Sequence, residues 1–384
     1  MKISKHVSIS LLGLGLNALF NGVFILQIGR VSDSVLLGQS MVLWSGFFVA
    51  GSCIAPFENY FLYRRMDGSD QYSKFKLLLT SSLLFLLVGL SISFTQNVSL
   101  WTIPLTLFTG LCVGQVVFLR SEAIYQRELT RVSVSNISEG LSRVASLTLF
   151  IAYFERISFW HILISYAAGN LASVVPYLKL RSEKSTAVRA ALPVNKIYGF
   201  AVIGLFTSLI AGGLPYLASY FEVEKISTIL FFFTLSRSLL ILQSLLVYVK
   251  PDWAQKIGTE NSLPKVLVFS FGFMIFTSLL LVILKQGIEL NLNIELSMIN
   301  TNSILYFSVA LVVSALFNLK IATQNASSDW DVAVISGILG FSTACLAFSL
   351  IDSAQNSFYG AMIFAPFAGI LYLFYSARSR KTSA

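Results

Sequence analysis

Ionisable side chains inside long apolar runs are the residues most able to do chemistry in this chain. Arg237 sits near the middle of an apolar stretch over 226–249. A charge at the centre of a membrane helix costs about 2.5–3.5 kcal/mol on insertion scales, so it faces a partner or a wet cavity. With helical spacing Arg237 shares a face with Thr234, Ile241, Ser244 and Tyr248, a partly polar stripe. A guanidinium matches phosphate bidentately. The stripe can therefore hold an anionic headgroup, or Arg237 can pair with a carboxylate on another helix. Arg143 follows Glu139 by four positions, the favourable order for an ion pair along a helix, and its face includes Asn136 and Ser146. That pair either neutralises itself for insertion or lines a cavity.

Glu58 lies in Pro56-Phe57-Glu58-Asn59-Tyr60, shortly before Arg64 and Arg65. Proline removes a backbone donor and kinks a helix, and a carboxylate beside the kink can bind a coupling ion, pair with an arginine, or snorkel to the interface. Asn17 and Asn21 share a face with Ser10 and Gly13, and Ser314 and Asn318 share another, with Asn325 beyond them. Such groups line cavities or join helices. Arg120 and Lys320 are near span ends and are expected to reach the headgroups. Ala211-Gly212-Gly213-Leu214-Pro215 interrupts a span, as hinges, substrate sites and close packing all do. His6 and His161 lie away from span centres, so a central histidine relay is not expected. Cys53, Cys112 and Cys345 are scattered through apolar runs, without metal-ligand spacing. Gly13-Leu14-Gly15 lacks the strand context of a dinucleotide loop. No nucleophile triad, phosphate loop, metal site or cofactor is expected.

Whatever positions these residues must be membrane helices. The chain has 384 residues, 55% hydrophobic and 12% charged, with a mean hydropathy of +0.76. Soluble domains carry about 25% charged residues. The hydrocarbon core, about 30 Å thick, needs roughly 20 apolar residues per helical crossing. Long continuous runs such as 75–95 and 265–285 fit helices rather than the alternating strands of a barrel. About twelve spans are expected, over 7–29, 36–63, 75–95, 99–120, 135–154, 159–180, 196–218, 226–249, 265–284, 303–324, 331–352 and 357–377. The first resembles a signal peptide but lacks a small-x-small cleavage site before Arg30.

Alternating these spans from a cytoplasmic start puts only Arg30, Arg156, Lys225 and Lys285 on the outer side. Arg143 and Arg237 fall within spans, and all other basic residues gather inside. That asymmetry is the positive-inside pattern, and it places both termini in the cytoplasm. The net charge of +9 thus sets orientation and contacts membrane lipids, and no nucleic-acid partner is expected. Trp101, Trp160, Trp253 and Trp330 suit an interfacial belt. The polar loop near 182–195 separates an N-terminal lobe of six helices, 1–181, from a C-terminal lobe of six helices, 196–384. Outer loops are short, which disfavours a membrane-embedded glycan polymerase or glycosyltransferase.

Four passages resemble the multidrug/oligosaccharidyl-lipid/polysaccharide exporter superfamily, in particular its O-antigen-type polysaccharide flippases. They are Phe233-Thr234-Leu235-Ser236-Arg237-Ser238 running to Lys250-Pro251, Pro56 and Glu58 before Arg64-Arg65, Phe118-Leu119-Arg120 through Arg127 and Glu139 to Arg143, and the closing spans ending in Arg378-Ser379-Arg380. The resemblance implies an all-α membrane protein with two six-helix lobes around a central cavity that opens alternately to either side of the bacterial inner membrane. It implies a polyprenyl-diphosphate-linked oligosaccharide as cargo, driven by an ion gradient (H+ or Na+), by the membrane potential or by downstream consumption. The residues singled out above, Arg237, Arg143, Glu139, Glu58, Asn17, Asn21, Asn318 and Ser244, are the candidates to line such a cavity. A drug/cation antiporter of the same superfamily is the alternative. A major facilitator is a second, but the loop Arg64-Arg65-Met66-Asp67-Gly68-Ser69-Asp70-Gln71 does not fit that group's Gly-x-x-x-Asp-Arg-type motif.

Overall fold

The computed structural model describes residues 5–55, 71–178, 201–202, 204–206, 208–210, 212–218, 223–240, 263–292, 296, 298–326, 330–351 and 353–382. All regular structure among them is helical. The chain divides into two compact units, residues 1–204 and 205–384. The first contains α1 (Lys5–Val31), α2 (Ser34–Ile54), α3 (Gln71–Thr95), α4 (Thr102–Tyr125), α5 (Leu129–Tyr153) and α6 (Phe159–Val174), which ends in a 3-10 turn, Val175–Tyr177. The second contains the short α7 (Leu214–Leu217) and α8 (Val223–Ser236), followed by a 3-10 turn, Arg237–Leu240. It continues with α9 (Leu263–Leu292), α10 (Thr301–Ala326), α11 (Trp330–Leu350) and α12 (Ala354–Thr382).

Eight of these helices, α1 to α4 and α9 to α12, are long and apolar enough to cross a membrane. Exposed large side chains repeat every fourth residue along single faces, as Phe75, Leu79, Leu83 and Leu87 on α3 and Phe271, Ile275, Leu279 and Ile283 on α9. Such stripes would be untenable in water but match acyl chains. The protein is a multi-pass membrane protein.

Small and hydroxylated residues occupy the helix seams, since apolar side chains gain nothing by leaving lipid for one another. Between α3 and α4, Gly110 packs on the Ser81 backbone and Gly114 on its side chain, while Ser93 Oγ and Thr102 Oγ1 share a hydrogen bond of 2.8 Å. These pairs run in opposite senses, as consecutive crossings must. α1 and α5 behave differently. Gly13 lies against Ser133 and Gly140 against Asn17. Asn21 meets Arg143, and Gln27 Nε2 donates to Thr148 Oγ1 at 2.8 Å. Numbers rise together along this seam, so the two helices are parallel, which requires an odd number of crossings between them. In the second unit α8, α10 and α12 are likewise mutually parallel: Phe233 packs on Phe307 and Phe358, Phe307 on Tyr359, and Lys320 reaches the Phe374 ring. All of these pairings agree with alternation of the expected spans.

The α1–α5 seam tolerates no extra atoms at Gly140, where an added Cβ would come to 2.7 Å from Phe20 Cβ and 2.8 Å from Asn17 Oδ1. Gly140→Leu is expected to lower stability by about 1–3 kcal/mol through overpacking. Gly22→Ala, on the open side of α1 with no atom within 4 Å of the new methyl, is expected to be neutral or slightly stabilising. Thermal unfolding of both variants in detergent measures the contrast.

Candidate functional site

Sequence spacing brings Glu139 and Arg143 one turn apart, and the structure closes the pair: Arg143 Nη2 donates to Glu139 Oε1. The fold adds partners that local sequence does not show. Arg143 Nη1 donates to Asn21 Oδ1 at 2.9 Å, and Asn21 Nδ2 lies 3.4 Å from Asn17 Oδ1. The guanidinium carbon lies 4.1 Å from the Tyr166 ring centroid and 5.3 Å from that of Trp44. Those two rings meet edge to face at 5.4 Å. Helices α1, α2, α5 and α6 thus converge on one cation, which is 2% exposed. Gly169 on α6 lets this happen, because a side chain there would collide with Arg143 Cγ. Cation–π and charge-assisted contacts strengthen where water is excluded.

A cavity of about 290 Å³ opens beside this cluster. Its walls come from α2 (Phe47, Gly51, Ser52), Phe85 of α3, Val117 and Arg120 of α4, Glu139 of α5, and Tyr166, Asn170 and Ser173 of α6. Phe47, Phe85, Glu139 and Tyr166 lie near mid-helix, and the other wall residues lie towards the end of the bundle where α1 and α5 begin. Glu139 lines the cavity and Arg143 does not. Of the two readings open for the pair, each residue takes one: Arg143 is neutralised inside the bundle, and Glu139 presents its carboxylate at the wall. Asn170 Nδ2 donates to the Tyr166 carbonyl at 2.9 Å and Ser173 Oγ to the Asn170 carbonyl at 2.6 Å, so backbone bonds fix the pose of both. Tyr166, Asn170 and Ser173 were legible as an i, i+4, i+7 polar stripe. Trp44, remote from any span end, was the other available signal. Arg120, expected to reach headgroups, instead lines this cavity.

The second unit treats its arginine in the opposite way. Arg237 opens the 3-10 turn, Arg237–Leu240, that follows α8. Its Nη1 lies 3.5 Å from Ser314 Oγ, at the outer limit of a hydrogen bond, and its Cζ is 5.2 Å from the Phe233 centroid. Among the described residues no carboxylate pairs with it. Thr234 donates to its own helix, at Leu230 O. Asn318 is one turn beyond Ser314 on α10 and partly exposed. Lys320, expected to snorkel, is 3% exposed and sits 4.0 Å from the Phe374 ring centroid. Glu58 and Ser244 lie outside the described residues, as do Ile241 and Tyr248. Among the described residues no group of three His, Cys, Asp or Glu side chains could hold a metal ion.

Removing Arg143 alone strands a carboxylate in the bundle, a loss worth about 3–5 kcal/mol for a broken buried pair. Arg143→Met is expected to unfold at markedly lower temperature than the wild type. The double variant Glu139→Gln/Arg143→Met is expected to recover most of that loss, which thermal melts of the three purified proteins compare directly.

Neither a protein-family model nor a curated protein sequence matches the chain. Solved structures do. The lipid II flippase MurJ, in an inward closed conformation, superposes with a TM-score of 0.65 at 12% identity, covering 97% of this chain and 87% of that one. An inward-facing multidrug resistance MATE transporter of the MOP superfamily gives 0.54 at 11% identity, covering 98% of each. A eukaryotic MATE transporter gives 0.54 at 13% identity, covering 98% and 97%. At such identities the likeness lies in the path of the backbone, and by that measure the chain has the fold that MurJ and the MATE transporters share.

Proposed function

We propose that the protein is a flippase that carries a polyprenyl-diphosphate-linked oligosaccharide across the bacterial cytoplasmic membrane by alternating access, for surface polysaccharide biosynthesis. In this reading both termini are cytoplasmic, in keeping with the distribution of basic residues. The observation that carries it is Arg237, a guanidinium within an apolar span that has no carboxylate partner among the described residues. A cation so placed is stable when an anion visits it, and a diphosphate brings at least two negative charges that need a fixed counter-charge in low dielectric. Ser314 and Asn318 lie on a neighbouring helix as hydrogen-bonding groups. The backbone likeness to MurJ, at a higher TM-score than either MATE structure, supports the same reading. The polyprenyl tail stays in lipid throughout.

Glu139 favours a second reading, a cation-coupled drug antiporter, because a carboxylate at a cavity wall attracts cationic guests. Purified protein in liposomes with a fluorescent lipid-linked oligosaccharide separates the two. The flippase reading expects the labelled lipid to become accessible to a quencher or enzyme on the far side. Losing one charge-assisted contact costs about 1.5–3 kcal/mol, so Arg237→Ala is expected to slow translocation about ten- to hundredfold at normal protein levels. Undiminished translocation by that variant, or cation efflux in place of lipid movement, would sink the proposal.

A further inference from the structure

The geometry points to a second ligand site, separate from Arg237: the cavity inside the first unit binds one neutral sugar ring. This inference rests on the flippase reading and gives it a sugar-recognising element.

Size is the first argument. Drug-sized ligands occupy pockets of about 300–1,000 Å³, so about 290 Å³ suits one small ring. Lining chemistry is the second. Phe48, which is exposed, and the partly buried Tyr166 offer aromatic surface, which suits the C–H faces of a pyranose. Glu139, Asn170, Ser173 and Arg120 offer acceptors and donors on the same walls, which suit its hydroxyl rim. Asn170 and Ser173 are 4% and 2% exposed, and their backbone hydrogen bonds hold them in place before any guest arrives. Pre-formed polar groups recognise a ligand without an ordering penalty.

Charge is the third argument, and it chooses between guests. Glu139 is already paired with Arg143. Arg120 is on the wall, and Glu122 is buried two positions further along α4. Among the described residues that line the cavity, one carboxylate, Glu139, and one guanidinium, Arg120, balance. Among the described lining residues neither sign is in excess, which favours a neutral guest over a lipophilic cation or a phosphate. A neutral polyol needs neither. It exchanges hydrogen bonds with water for hydrogen bonds with Glu139, Asn170, Ser173 and Arg120 and buries its apolar faces on the rings.

Gly51 provides a clean test. It lines the cavity, and a Cβ built on it meets no atom within 4 Å. Gly51→Phe thus fills the cavity from a helix that gains propensity by losing a glycine. The experiment is saturation-transfer NMR on the full chain in nanodiscs with methyl glucopyranoside as probe and tetraphenylphosphonium as charged comparator. The wild type is expected to saturate the sugar signals and to leave tetraphenylphosphonium unable to compete. Gly51→Ala is expected to keep that signal, and Gly51→Phe to weaken binding at least about tenfold with an unchanged melting temperature. Arg237→Ala is expected to keep the signal while losing translocation, so a failed flippase reading and a failed sugar site give different patterns. Equal sugar signals in wild type and Gly51→Phe, no signal in the wild type, or displacement by tetraphenylphosphonium would overturn the inference.

Discussion

Water is scarce where this protein places charges within its apolar spans, and a polar group there must be answered by another part of the chain. The constraint is strongest at Arg143. A single guanidinium in the middle of the first unit touches an amide from α1, a ring from α2, a carboxylate from its own helix and a ring from α6. No one of these contacts is strong enough to justify burying the charge. Together they fix the spacing of four helices, and the glycines at 140 and 169 exist where side chains would push those helices apart.

The two arginines within the apolar spans show the same cost met in two ways. Arg143 is enclosed, paired and stacked, so its charge is spent on architecture. Arg237 has a distant serine and an aromatic face, and no acidic partner among the described residues. An enclosed ion pair resists change, whereas a cation with no acidic partner among the described residues is, in the proposed reading, where an anion would arrive. The 3-10 turn starting at Arg237 adds to the contrast, since a tightened turn is less regular than the α-helix before it.

Much of this was visible in the sequence because lipid imposes simple rules. Apolar runs gave the helices, and the distribution of lysine and arginine gave an alternation with which the parallel and antiparallel seams agree. The spacing of Glu139 and Arg143 revealed their pair, since four residues is a local distance. What stayed hidden is long-range. Nothing near Arg143 in sequence names Asn21, Trp44 or Tyr166, which come from three other helices. Nor does composition say which member of the pair faces a cavity. Arg120 and Lys320 looked alike as residues near span ends, yet one lines a cavity and the other lies buried against Phe374. Depth along a helix can be read from a sequence, while rotation about its axis depends on neighbours that the fold supplies.

The parallel pairing of α1 with α5 has a consequence for how the protein is made. Three helices emerge from the ribosome between them, so α1 enters the bilayer long before the partner that satisfies Asn17 and Asn21 has been synthesised. During that interval its two amides have only each other, the lipid interface or the insertion machinery. The fifth helix can dock onto the first only after that interval, and its arginine is enclosed only once α6 brings Tyr166 and Gly169 against it.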